Sequence, residues 1–135
     1  MDKIIITNNP LIHEKFASLY NVELHNKNYI EILEIVRDRI HMGHELLSHP
    51  LAGSVKPNET PYRTIIISRE KKQLDLNSLN IIESAIATTR KFLSNRPTPN
   101  WNDTALHDFQ VVDLSLIENV LSSIVWFCIK LDKLG

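Results

Sequence analysis

The sequence predicts one three-layer, Rossmann-like α/β domain over 1–135: a mostly parallel four-stranded sheet in the order 2-1-3-4, flanked by helices, with a long ordered loop at 49–61. Three observations predict it. Isoleucine triplets at 4–6 and 65–67 read as strands buried on both faces, as in a sheet covered by helices. Between and after them, apolar residues recur at three- and four-residue steps, the spacing of amphipathic helices. Strand-like and helix-like segments alternate, and right-handed crossovers then place strand 1 between strands 2 and 3, with strand 4 beyond strand 3.

The first strand is 3–7. Asn9 caps the following helix and Pro10 suits its first position, where a missing N–H has no partner to lose. Ile12, Phe16 and Leu19 share a face of that helix, which ends near Asn21. A short strand at 22–24 and a turn at 26–28 lead to a helix over 29–41, whose Tyr29, Ile32, Leu33, Val36 and Ile40 form a continuous stripe. Gly43 ends it in a left-handed conformation. The third strand is 45–48 and the fourth 62–68. Asp75 or Asn77 caps a helix over 76–94 that buries Leu79, Ile82, Ile86 and Leu93. Pro97 and Pro99 break the chain within the same domain. The last third is helical by spacing, with Asp113 and Ser115 marking a restart that would divide it into two helices. The apolar run 124–129, with Trp126 and Cys128, needs burial on all sides or a partner, and a late strand is the competing assignment there.

Composition excludes several functions. With 15 Lys and Arg against 16 Asp and Glu, scattered without a stripe, the chain lacks the electrostatic footprint of a nucleic-acid binder. A single cysteine cannot form an internal disulfide, a redox pair or a cysteine-based zinc site, which fits a reducing cytoplasm. The N-terminal apolar stretch is too short for a signal peptide, and no run approaches membrane-spanning length. The expected compartment is cytoplasmic.

The segment 49–63, HPLAGSVKPNETPYR, holds three of the six prolines and one of the three glycines. An irregular connection of that length inside a compact domain usually has a function. Its prolines restrict the backbone, Gly53 and Ser54 allow close approach, and Ser54, Lys56, Asn58, Thr60 and Arg63 supply donors. In the expected sheet it borders the turn after strand 1, where Asn8, Asn9 and the first free amides of the helix lie, at the switch point between strands 1 and 3. Amides plus a cation suit a carboxylate or phosphate. The competing reading is an Ω-like structural cover whose polar groups satisfy its own backbone.

His49 is the catalytic candidate, because an imidazole is the side chain suited to acid or base work near neutral pH, although it stands beside a proline with no identifiable partner. His41 and His44 fit a helix C-terminus better than a metal site. No metal or cofactor is implied, because nothing matches GxSxG, a Walker loop or GxGxxG.

HPLAGSVKPNETPYR, with ITNNP before it and IIIS after it, resembles the signature of the GrdX family, small proteins encoded with the glycine, sarcosine and betaine reductase system of amino-acid-fermenting anaerobes. The resemblance runs from about Ile4 to the neighbourhood of Val120. It marks His49, Pro50, Gly53, Ser54, Lys56, Pro57, Asn58, Glu59, Thr60, Pro61 and Tyr62 in the loop, and Asn8, Asn9 and Pro10 in the first turn. The family carries no assigned activity, so no catalytic residue transfers.

Three functional readings follow. The first is an accessory protein of glycine or betaine reductase metabolism that binds a small anionic metabolite, or a protein of the reductase complex, at the edge between strand 1 and loop 49–63. The second is a small-molecule transferase or hydrolase in the same crevice, with His49 as acid or base and Lys56 or Arg63 on the anion. The third is a non-catalytic interaction module whose 124–129 segment docks a partner or a second copy in a homodimer.

Overall fold

The computed structural model describes residues 3–53 and 55–134, the last ten by their helical backbone only. The elements are β1 (Lys3–Thr7), α1 (Pro10–Phe16), β2 (Asn21–Leu24), α2 (Tyr29–His41), β3 (Thr64–Ser68), α3 (Leu76–Asn95) and α4 (Asp103–Leu134). The sheet has three strands in the order β2-β1-β3. β1 pairs parallel with β2, and antiparallel with β3 from Lys3↔Ser68 to Thr7↔Thr64.

This corrects the expected four-stranded, mostly parallel Rossmann-like sheet of order 2-1-3-4 in both strand number and direction. The segment 45–48 contributes only an isolated antiparallel bridge, Leu46↔Ile67, on the outer side of β3. Two hydroxyls take over ladder positions there. Ser48 Oγ accepts from Ile66 N and Ser68 Oγ from Glu45 N, while Ser78 Oγ accepts from Leu46 N. Strand direction follows from the loop. A parallel return needs a crossover of a dozen or more residues, usually a helix. Segment 49–63 contains no helix, so the chain turns back at the end it left from and β3 slots between β1 and 45–48.

The two isoleucine triplets are fully or nearly fully buried, and their alternation divides the core. Ile4, Ile6, Ile65 and Ile67 face α2 and α3, packing with Tyr29, Ile32, Leu33, Val36, Ile40, Ile82 and Ile86. Ile5 and Ile66 face the other way, toward Ile12 and Phe16 of α1 and Ile117 and Leu121 of α4. Each such isoleucine contributes about 1.5–3 kcal/mol of burial, so the triplets fix which residues lie on which face.

Helix starts follow their caps. Asn9 Oδ1 accepts from Leu11 N with Pro10 in the first turn, and Asn28 and Glu31 form a reciprocal capping box. Asp75 is the cap of α3, and Asn102 Oδ1 accepts from Ala105 N at the start of α4. α1 is shorter than its apolar spacing predicts. It stops at Phe16, and Leu19, expected on its inner face, is 72% exposed in the turn that leads to β2. α4 is one helix, without the expected restart at Asp113 and without a late strand. Asp113 spends its carboxylate on distant residues, not on capping. Among the described residues, no helix is long and apolar enough to cross a membrane. The side chains of Trp126 and Cys128, and Ser54 in the loop, lie outside the described residues.

Candidate functional site

Thr7 ends β1 and Thr64 begins β3, and their pairing brings the turn after β1 against the last residues of loop 49–63. Asn8 fastens the junction. Its Nδ2 donates to Lys27 O at 3.0 Å and Pro61 O at 2.9 Å, and its Oδ1 accepts from Arg63 N at 2.9 Å. The crevice between strand 1 and the loop is therefore built mainly from Asn8, with the 26–28 segment joined to it.

Behind this junction lies a buried polar network. Thr64 Oγ1 and Asn9 Nδ2 both donate to Asp113 Oδ2, at 2.6 and 3.0 Å. Because the Thr64 proton is committed to the carboxylate, the 2.7 Å contact between the two threonine hydroxyls must run from Thr7 to Thr64. Thr7 Oγ1 in turn accepts from Asn9 N. Asn9 Nδ2 also reaches Gln110 O, and Gln110 Nε2 donates to the Tyr62 hydroxyl at 2.8 Å. A continuous chain of bonds thus joins the loop, β1, β3, the start of α1 and α4.

Arg63 carries the positive charge of the network and is only 5% exposed. Its Nη1 donates to Ala52 O at 2.9 Å, and its Nη2 lies 3.8 Å from Asp113 Oδ1, beyond direct hydrogen-bond length. Tyr29 lies within the field of this pair. Burial raises its phenol pKa, the Arg63 charge and hydrogen bond oppose the rise, and the Asp113 charge adds to it. The hydroxyl stays protonated and uncharged.

In front of the junction is an open cleft of about 500 Å³. Its lining combines polar side chains, Asn8, Asn26, Lys27, Asn28, Glu31 and Thr98, with Tyr29, Ile30, Pro61, Tyr62 and Leu93. The volume falls in the range of small-molecule sites.

The expected site residues divide into separate groups. Asn8, Asn9, Thr60 and Arg63 converge on the junction, although Asn9 and Arg63 point into the buried network and not toward solvent. Thr60 Oγ1 accepts from Tyr62 N and shapes the bend before it. Asn58 belongs elsewhere, since its Nδ2 donates to Phe92 O and Arg96 O and so closes the C-terminus of α3. Gly53 is exposed at φ +105°, and a Cβ there would lie 2.8 Å from Leu116 Cδ1, so its role is close packing on α4. Lys56 and His49 are exposed, and neither borders the cleft. His49 Nδ1 accepts from Leu51 N and shapes its own turn. His44 donates from Nδ1 to Ser68 O at 2.7 Å, and no group of three His, Cys, Asp or Glu among the described residues is placed to hold a metal.

Asp113, Thr7, Thr64, Gln110, Tyr29 and Lys27 are the residues the sequence reasoning missed. Asp113 had a legible signal. It shares a four-residue step with Ile117 and Leu121, so a carboxylate sits on the buried stripe of α4. The threonines flank the two isoleucine triplets in mirror order, Ile-Ile-Ile-Thr and Thr-Ile-Ile-Ile, which places both hydroxyls at one end of an antiparallel pair.

Comparison with known proteins returns no match among curated proteins or solved structures. A family model described as GrdX-like protein matches residues 4–122, a span that contains β1 from Ile4 on, the loop, the cleft and the buried network. The chain belongs to the GrdX-like protein family.

Proposed function

We propose that this protein is a non-catalytic accessory factor of glycine or betaine reductase metabolism that binds a small anionic metabolite at the edge of strand 1 and loop 49–63. Family membership supports the metabolic setting. The observation that carries the binding reading is the cleft of about 500 Å³, whose lining residue Asn8 also joins the strand turn, the 26–28 segment and the loop end. A ligand seated there touches all three segments at once. The exposed, turn-capping position of His49 gives the enzyme alternative no support, because a general acid or base must reach the bound substrate.

A thermal-shift screen of glycine-pathway metabolites and acyl phosphates tests the reading. At a ligand concentration of 100 times Kd, the expected stabilisation is about 2.7 kcal/mol. Absence of any shift across the screen, together with capture of a reductase component by the tagged protein, would replace the ligand with a protein partner.

A further inference from the structure

Resting on the cleft reading above, we infer that Lys27 sets the charge preference of the cleft, and that its ligand is an organic acid whose carboxylate meets Lys27 while an apolar body lies against Tyr62. The argument begins with the cations near this edge. Arg63 is buried, holds the Ala52 carbonyl and faces Asp113, so its charge is balanced inside the protein. Lys56 is exposed and does not border the cleft. Lys27 does border it, and among the described residues it forms no ion pair.

The Lys27 backbone is also held in place. Its carbonyl accepts from Asn8 Nδ2 and its amide donates to His25 O, so the side chain springs from a fixed main chain that borders the cleft. Glu31, the acid in the same lining, accepts from Asn28 N through Oε1. The Glu31 amide is taken by the Asn28 cap, so among the side chains of the lining Lys27 is the one that offers an anion a full positive charge. The lining also holds Tyr62, Pro61 and Leu93, carbon surface that rewards burial of an apolar group and gives little to a bare inorganic ion. Tyr62 is oriented by the bond from Gln110. A lining that combines Lys27 with apolar side chains selects a molecule with an acidic and an apolar part.

The test uses the full chain labelled with 15N, titrated with acetate, phenylacetate and 3-phenylpropionate and with the three matching amides. The expected result is that phenylacetate or 3-phenylpropionate moves the amide resonances of Ile30, Tyr62, Leu93 and Thr98, and binds about fivefold more tightly than its amide, the upper end for a solvent-exposed charge pair. Lys27→Gln removes that difference and Lys27→Arg keeps it. Equal affinity of acids and amides, no loss in Lys27→Gln, or the loss appearing in Lys56→Ala instead, overturns the inference and leaves the cleft reading standing. If no probe moves any cleft resonance, both the inference and the cleft reading fall.

Discussion

The hydroxyl of Thr64, the first residue of β3, donates a 2.6 Å hydrogen bond to the carboxylate of Asp113 in the N-terminal half of α4, 49 residues later. This contact carries the attachment of α4 to the polar end of the sheet, since Asn9 binds the same carboxylate oxygen and Arg63 faces the other. Replacing Asp113 by Ala leaves the Arg63 charge buried without its counter-ion. The expected cost is about 3–5 kcal/mol, the range for breaking a buried ion pair from one side. Urea unfolding measures it, and a loss below about 1 kcal/mol would show that the network contributes little.

Asn8 makes three tertiary hydrogen bonds with one side chain. Asn8→Ala is expected to cost about 2 kcal/mol, less than three independent bonds at about 1 kcal/mol each, because the site is partly open to water. Asn8→Asp keeps the acceptor for Arg63 N and loses both donors, so it should fall closer to the alanine variant than to the parent. Hydrogen exchange at Arg63 N separates the two, with protection retained only in Asn8→Asp.

At position 53 any side chain meets two obstacles. The backbone has φ +105°, and a Cβ would lie 2.8 Å from Leu116 Cδ1. Gly53→Ala is expected to destabilise by about 1–2 kcal/mol from the backbone conformation, plus the packing cost. In the Gly53→Ala, Leu116→Ala double variant the packing part disappears and the backbone part stays. A double-mutant cycle in thermal unfolding reads the coupling, and strict additivity would rule out the close approach.

Tyr29 predicts the alkaline limit. Its pKa in the folded protein is raised above the usual 10.0, chiefly by burial. The unfolded chain therefore releases this proton first as pH rises. The stability tied to the protonated phenol is fully present below pH 10 and is lost as pH climbs toward and through the folded value. The difference in unfolding free energy between the parent and Tyr29→Phe should be flat from pH 7 to 9 and should shrink in the parent above pH 10. A constant difference up to pH 11 would contradict the raised pKa.

Local signals placed the elements well and the sheet connectivity poorly. Ile4–Ile6 and Ile65–Ile67 could be recognised as buried strands, and Asn9, Asn28 and Asp75 as caps, because each depends on neighbours within a few residues. The direction of β3 depends on what loop 49–63 lacks, a crossover helix. The failure of 45–48 to become a full strand depends on Ser48 and Ser68 supplying side-chain bonds in place of backbone ones. The site shows the same division. Proximity of the loop to the first turn was legible from the chain order. The inward pointing of Arg63 was not, since it requires Asp113, fifty positions further on. Lys27 passed as a turn residue because nothing in its own sequence neighbourhood reveals that Asn8 holds its carbonyl.

The bond between Thr64 and Asp113 also fixes how α4 is seated along its axis. A helix held only by isoleucine and leucine contacts can slide by one turn, about 5.4 Å, and still offer an apolar stripe to the sheet. Here such a slip would set a carboxylate against Ile5 and Ile66 and strand the donors of Thr64, Asn9 and Arg63. Asp113, the one buried acid of α4 among the described residues, therefore works as a registration pin, making one alignment of the longest helix much better than its neighbours.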